Sequence, residues 1–139
     1  MTDMIENERD VMIRVILLFE YYKRSCGQSN NPEMHFYIIP ELRDTDNKII
    51  ESNATYLIDN NLVRGGVDVD ASHSFPWITR INSTGVNLIE RIVHESESKI
   101  SELNDKSDTQ DKVLDFINYC LKGKEIPKQV LDVAKDIVL

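Results

Sequence analysis

Residues 48–92 read KIIESNATYLIDNNLVRGGVDVDASHSFPWITRINSTGVNLIERI, and this stretch decides the fold. Its first third places Ile49, Ile50, Ala54, Tyr56, Leu57 and Ile58 at helical spacing, so Lys48 to Asn61 is expected to be a helix with Lys48, Glu51, Ser52, Thr55 and Asp59 toward solvent. Asp46 is placed to cap its start, and Asn60 and Asn61 tolerate the left-handed backbone that ends helices. From Leu62 the period changes to two, through LVRGGVDVD, and a polar tip, ASHSFP, leads to the returning strand Trp77–Ile81. On that strand Trp77, Thr79 and Ile81 share one face, and the expected role of Trp77 is to pack the ribbon onto the core. Ser83 is the cap candidate for a closing helix with Val86, Ile89, Ile92 and Val93 inward.

Outward from this stretch, residues 3–24 place Met4, Ile5, Val11, Met12, Val15, Ile16, Leu18, Phe19 and Tyr22 in one wide apolar stripe. Thr2 or Asp3 is the candidate cap, and Glu6 is placed to complete a capping box. Gly27 and the polar run to Pro32 stop that helix. The segment EMHFYIIPELRD reads as a brief extended piece followed by a short helix from Pro40 to Arg43, because proline suits a first turn. Beyond His94 the chain is polar to Gln110, which reads as a helix extension or linker. Two amphipathic helices follow, Asp111–Lys122 with Gly123 as its stop, and Pro127–Leu139. Neither can bury an apolar face alone, so the pair must pack on the preceding domain or on a second chain.

The phrases YLIDNNLVRGG and WITRINSTGVNLIERI resemble the end of the recognition helix, the wing and the last helix of winged helix-turn-helix proteins. Together with RDVMIRVILLFEYY they are also similar to small winged-helix proteins of phage and prophage type. The likeness spans roughly residues 10–94 and departs in an acidic wing and in the EMHFYII segment. The fold class expected is therefore mainly α with a small β-ribbon (α+β): a winged helix-turn-helix over residues 1–94, a polar extension over 95–110, and a C-terminal helical pair over 111–139.

The resemblance implies a DNA-binding transcription regulator, acting on double-stranded DNA as a homodimer. Lys48, Ser52 and Thr55 would lie on the helix entering the major groove, with Arg43 before it, Arg64 and Arg80 at the wing and His73 at its tip. Composition opposes this reading. The net charge is −8, from 24 acids and 16 bases, and the wing carries Asp68 and Asp70. A protein-interaction adaptor, using the C-terminal helices to hold a partner or a second copy, is the alternative.

Catalysis is not expected, since no nucleophile motif is present and Gly65-Gly66 lacks the lysine and position of a phosphate loop. No metal or cofactor is expected either. His35, His73 and His94 share no ligand spacing, and Cys26 and Cys120, 94 positions apart, read as reduced thiols. No apolar run reaches the roughly 20 residues of a membrane span, and the acidic N-terminus lacks signal-peptide character, so a cytoplasmic location is expected.

Overall fold

The sequence VMIRVILLFEYY, residues 11–22, interrupts its apolar run only at Arg14 and Glu20, and the helix it forms is buried on more than one side. In the computed structural model, which describes residues 2–29, 35–70, 73–97, 109–122 and 126–137, this helix is α1, Thr2–Ser25. Ile13, Leu17 and Tyr21, which lie outside the expected stripe, are as deeply buried as Ile16, Leu18 and Phe19. The expected cap and its capping box concern side chains outside those described. Gly27 ends α1 at φ 70°, letting Gln28 N–H return to the Lys23 carbonyl at 2.8 Å.

Residues Phe36–Ile38 and Pro40–Leu42 form two 3-10 helices rather than an extended piece and one helix. Among the described residues of this segment His35 and Ile39 have extended backbone, and Phe36, Ile39 and Leu42 are buried in the core. Helix α2, Asn47–Asp59, is capped as expected by Asp46, whose carboxylate accepts from Lys48 N–H at 2.8 Å. Asn61 takes the left-handed conformation, φ 60°, that turns the chain into the ribbon.

Strands β1, Val63–Asp70, and β2, His73–Ile81, pair antiparallel as a two-stranded sheet. β2 begins four residues before the expected Trp77. An irregularity between Arg64 and Gly65 leaves Arg64 opposite Arg80 and Gly65 opposite Ile78, so Thr79 is the extra residue of a bulge. Because side chains alternate with period two, one extra residue inverts the faces beyond it. Ile81 points into the core and Pro76 is buried on the same side, whereas Trp77 turns outward.

Asn82, not Ser83, caps helix α3, Ser83–Glu97: its side-chain oxygen accepts from Gly85 N–H at 3.4 Å. Gly85 permits the close approach that seats this helix, since a Cβ there would lie 2.2 Å from the Leu62 carbonyl oxygen. The polar segment is helical to Glu97, in part the expected extension, and Gly123, the expected stop of the next helix, lies outside the described residues.

Helices α4, Thr109–Lys122, and α5, Lys128–Asp136, turn their apolar stripes inward. Val113, Phe116, Ile117 and Cys120 of α4 and Val130, Val133 and Ala134 of α5 join the same core as α1 and α3. Phe116 meets Phe19 edge-on at 6.2 Å. Outside the core, Glu8 on α1 receives Lys135 at 2.8 Å and Lys128 at 3.2 Å, tying α5 to α1. The C-terminal pair thus turns its apolar side onto the core shared with α1 and α3. Among the described residues no helix is long and apolar enough to cross a membrane.

Candidate functional site on the second helix and the ribbon

The expected site residues all lie on or beside α2 and the ribbon. α2 is held in place by Asn53, which is buried against α1. Asn53 Oδ1 accepts from Arg14 Nε at 2.8 Å, and its Nδ2 donates to Asp10 at 3.1 Å and to the Ile49 carbonyl at 2.9 Å. The Arg14 guanidinium also lies 3.6 Å from the centroid of the Tyr56 ring. These polar contacts fix how far α2 is rotated on α1, and so which of its side chains face outward.

Glu51 departs from its expected place in solvent. It is 9% exposed, accepting a hydrogen bond from the Tyr37 hydroxyl and pairing with His73 Nε2 at 2.9 Å. One carboxylate therefore joins the first 3-10 helix, α2 and the start of β2. Burial, the hydrogen bond to Glu51 and that carboxylate's charge together push the Tyr37 phenol up from its ordinary pKa. His35 stacks on Tyr37 at 4.3 Å and accepts from its backbone N–H, which requires an unprotonated Nδ1. Burial, and next the Arg24 charge, lower the pKa of His35 in the same sense.

His73 is consequently half-buried rather than a projecting tip residue, and its ring stacks on Phe75 at 4.3 Å. Beside it Tyr37, Asp46, Asn47, Lys48, Glu51, His73 and Phe75 line an open hollow of about 520 Å³ between α2 and β2. Toward the other end of α2, Trp77 lies across Gly66, where a Cβ would come within 2.6 Å of the indole. Trp77, Arg64, Thr79 and Ile58 border a second hollow there.

The cations expected to meet phosphate are exposed but are not gathered. Lys48 stands at the N-terminal end of α2 beside Asp46 and Glu51, while Arg64 lies past the C-terminal end, roughly 17 Å of helix axis away. Arg43 lines a separate hollow with Glu41, Asp44 and Leu121 of α4. Arg64 and Arg80 are the one expected pair brought together, directly opposite each other at the base of the ribbon. Ser52 is exposed and Thr55 half-buried on the outer side of α2.

Apolar exposure was missed from the sequence. The exposed large hydrophobic residues among those described are Val69 at 78%, Phe75 at 46% and Trp77 at 42%, all on the ribbon. The Gly65-Gly66 joint was the available signal, since glycines inside a strand mark a bulge or a close crossing. Both cysteines are free, Cys26 half-buried and Cys120 buried, with the Cys120 thiol pushed up to about 12 by burial.

Comparison with protein-family models, with curated proteins and with solved structures yields no match for this chain.

Proposed function

We propose that this chain is a non-catalytic interaction module on a winged-helix plan, and that the outward side of its ribbon, with the adjoining side of α2, is the working surface. The order of elements supports the plan: a long helix, short helices, α2, an antiparallel ribbon and a closing helix. One observation carries the function. Among the described residues the large apolar side chains left exposed are on the ribbon, whereas those of the C-terminal helices are buried or half-buried. Trp77 and Phe75 share the outward face of β2, where exposed aromatics are the side chains suited to anchoring a protein interface, whereas Val69 is exposed on the opposite face near the tip.

A photo-crosslinking residue at Trp77 tests this in cells, with another at exposed Gln129 of α5 as control. The expected result is a protein adduct at position 77 and none at 129. Nucleic-acid adducts alone, or protein adducts equally at both positions, would count against it.

A second reading, a winged-helix DNA-binding regulator, is favoured by the exposed Arg64–Arg80 pair at the ribbon base, with Lys48, Ser52 and Thr55 along α2. Binding to fragmented genomic DNA, titrated over salt, separates the two. A regulator would bind selectively and weaken steeply with salt, losing about one unit of slope with Arg64→Ala. The interaction module would show no selective binding at physiological salt.

A further inference from the structure

The outward side of the ribbon is sorted by chemistry along its length. From base to tip its cross-strand pairs are Arg64 with Arg80, Gly66 with Trp77, and Asp68 with Phe75, and the row ends at exposed Asp70, whose partner His73 is half-buried against Glu51 of α2. The base is therefore cationic, the middle aromatic and the tip acidic. Arg64 and Asp70 are six residues apart, about 20 Å along the strand, and Val67 lies midway between them.

A pattern that is positive at one end, negative at the other and aromatic between is complementary to itself when turned end for end. We infer that the partner of this surface is a second copy of the same chain, docked ribbon to ribbon about a two-fold axis at the level of Val67. This rests on the ribbon being the working surface and names what occupies it. The axis sets Arg64 of each copy level with Asp70 of the other. It sets Trp77 level with the second copy's Phe75. Such an interface is isologous, the arrangement that closes a dimer without propagating. Parallel docking would instead oppose Arg64 and Arg80 to their own kind, and Asp68 and Asp70 likewise, which costs favourable charge contacts throughout.

The face is small. Two strands over about 20 Å offer roughly 200 Å² per copy, well under the about 800 Å² of a standard complex, so a weak dimer with Kd in the micromolar to millimolar range is expected. The charge of −8 on each copy adds long-range repulsion that physiological salt screens.

Sedimentation velocity on three purified samples, up to about 1 mM and at physiological salt, tests the inference. The first is the wild type. The second is Asp68→Lys with Asp70→Lys, whose ribbon is cationic throughout. The third is Arg64→Glu with Arg80→Glu, whose ribbon is acidic throughout. All four positions are exposed, and circular dichroism checks that each variant stays folded. The wild type is expected to dimerise with concentration, and each swapped variant alone to associate at least about tenfold more weakly. The two variants mixed are expected to recover association as a heterodimer, because every end-to-end pair is then opposite in charge.

A wild type that stays monomeric throughout, or a mixture no tighter than its components, would overturn the second copy as partner. In that event a protein adduct of foreign mass at position 77 would leave the interaction surface standing, and the absence of any protein adduct would remove both.

Discussion

Replacing Asn53 by alanine removes the polar hinge on which α2 sits. The side chain is 1% exposed and makes three hydrogen bonds, two of them to the charged groups of Arg14 and Asp10. A bond to a charged group contributes about 1.5–3 kcal/mol and a neutral one about 1 kcal/mol. Arg14 and Asp10 are only partly buried, so water recovers part of their loss, which selects the lower end of that range. Alanine also returns about 0.5 kcal/mol of helix propensity. The net loss is about 3 kcal/mol. For a chain of this length it lowers Tm by roughly 10 °C. Urea unfolding followed by circular dichroism measures it, and the double variant with Arg14→Ala should fall short of additivity because the two residues share a bond. A loss within about 1 kcal/mol, or full additivity, would refute the argument that this network fixes α2 on α1.

Glu51→Ala separates the ribbon from α2 without touching the hydrophobic core. With Tyr37 and His73 losing their shared acceptor, a loss of about 2 kcal/mol is expected, with faster amide exchange concentrated in β2 near His73. Exchange unchanged there would contradict the latch. Acid should loosen α5. Lys135 and Lys128 hold the Glu8 carboxyl below its ordinary value of 4.5 in the folded chain. A folded-state pKa lowered in this way gives stability that is present above 4.5 and lost as pH falls through the folded value, so wild type should lose α5 protection below pH 4.5. Glu8→Gln should show weaker α5 protection already at neutral pH and a smaller further loss in acid. Thiol titration is expected to modify Cys26 in the native protein and both cysteines after denaturation, since the Cys120 thiol is buried and pushed up to about 12. Two equally fast thiols in the folded state would place Cys120 outside the core.

Local signals carried the helices. The Asp46 cap, the Asn61 turn and the inner residues Ile50, Ala54 and Leu57 follow from spacing and side-chain chemistry within a few residues. Features that depend on two distant segments were not legible. Glu51 reads as solvent-facing because nothing near it announces a partner, and the residue that covers it, His73, is 22 positions away. The burial of Ile13, Leu17 and Tyr21 requires other elements to cover α1 on more than one side, which the spacing within α1 does not announce.

The candidate site shows the same division. That Arg43, Lys48, Arg64 and Arg80 would be exposed followed from pattern. That Arg43 and Lys48 would stand apart from the Arg64–Arg80 pair, Arg43 beside Glu41 and Lys48 beside Asp46 and Glu51, followed only from the packing of distant segments. Trp77 is the sharpest case. Strict alternation puts it on the face of Ile81, and one extra residue at Thr79 puts it on the other. The bulge arises from the register of both strands together, so neither strand alone discloses it. With it, the aromatic that was expected to secure the ribbon to the core became part of an outward surface.

Trp77 is the single tryptophan of the chain, so its fluorescence reports on the ribbon alone. The most direct test of the account is its emission and acrylamide quenching in dilute, folded protein, compared with the unfolded chain. An outward indole, 42% exposed and resting on Gly66, should emit near the unfolded position and be readily quenched. A blue-shifted emission shielded from acrylamide in the dilute monomer would place Trp77 inside, and the outward aromatic face on which the proposed interaction rests would not exist.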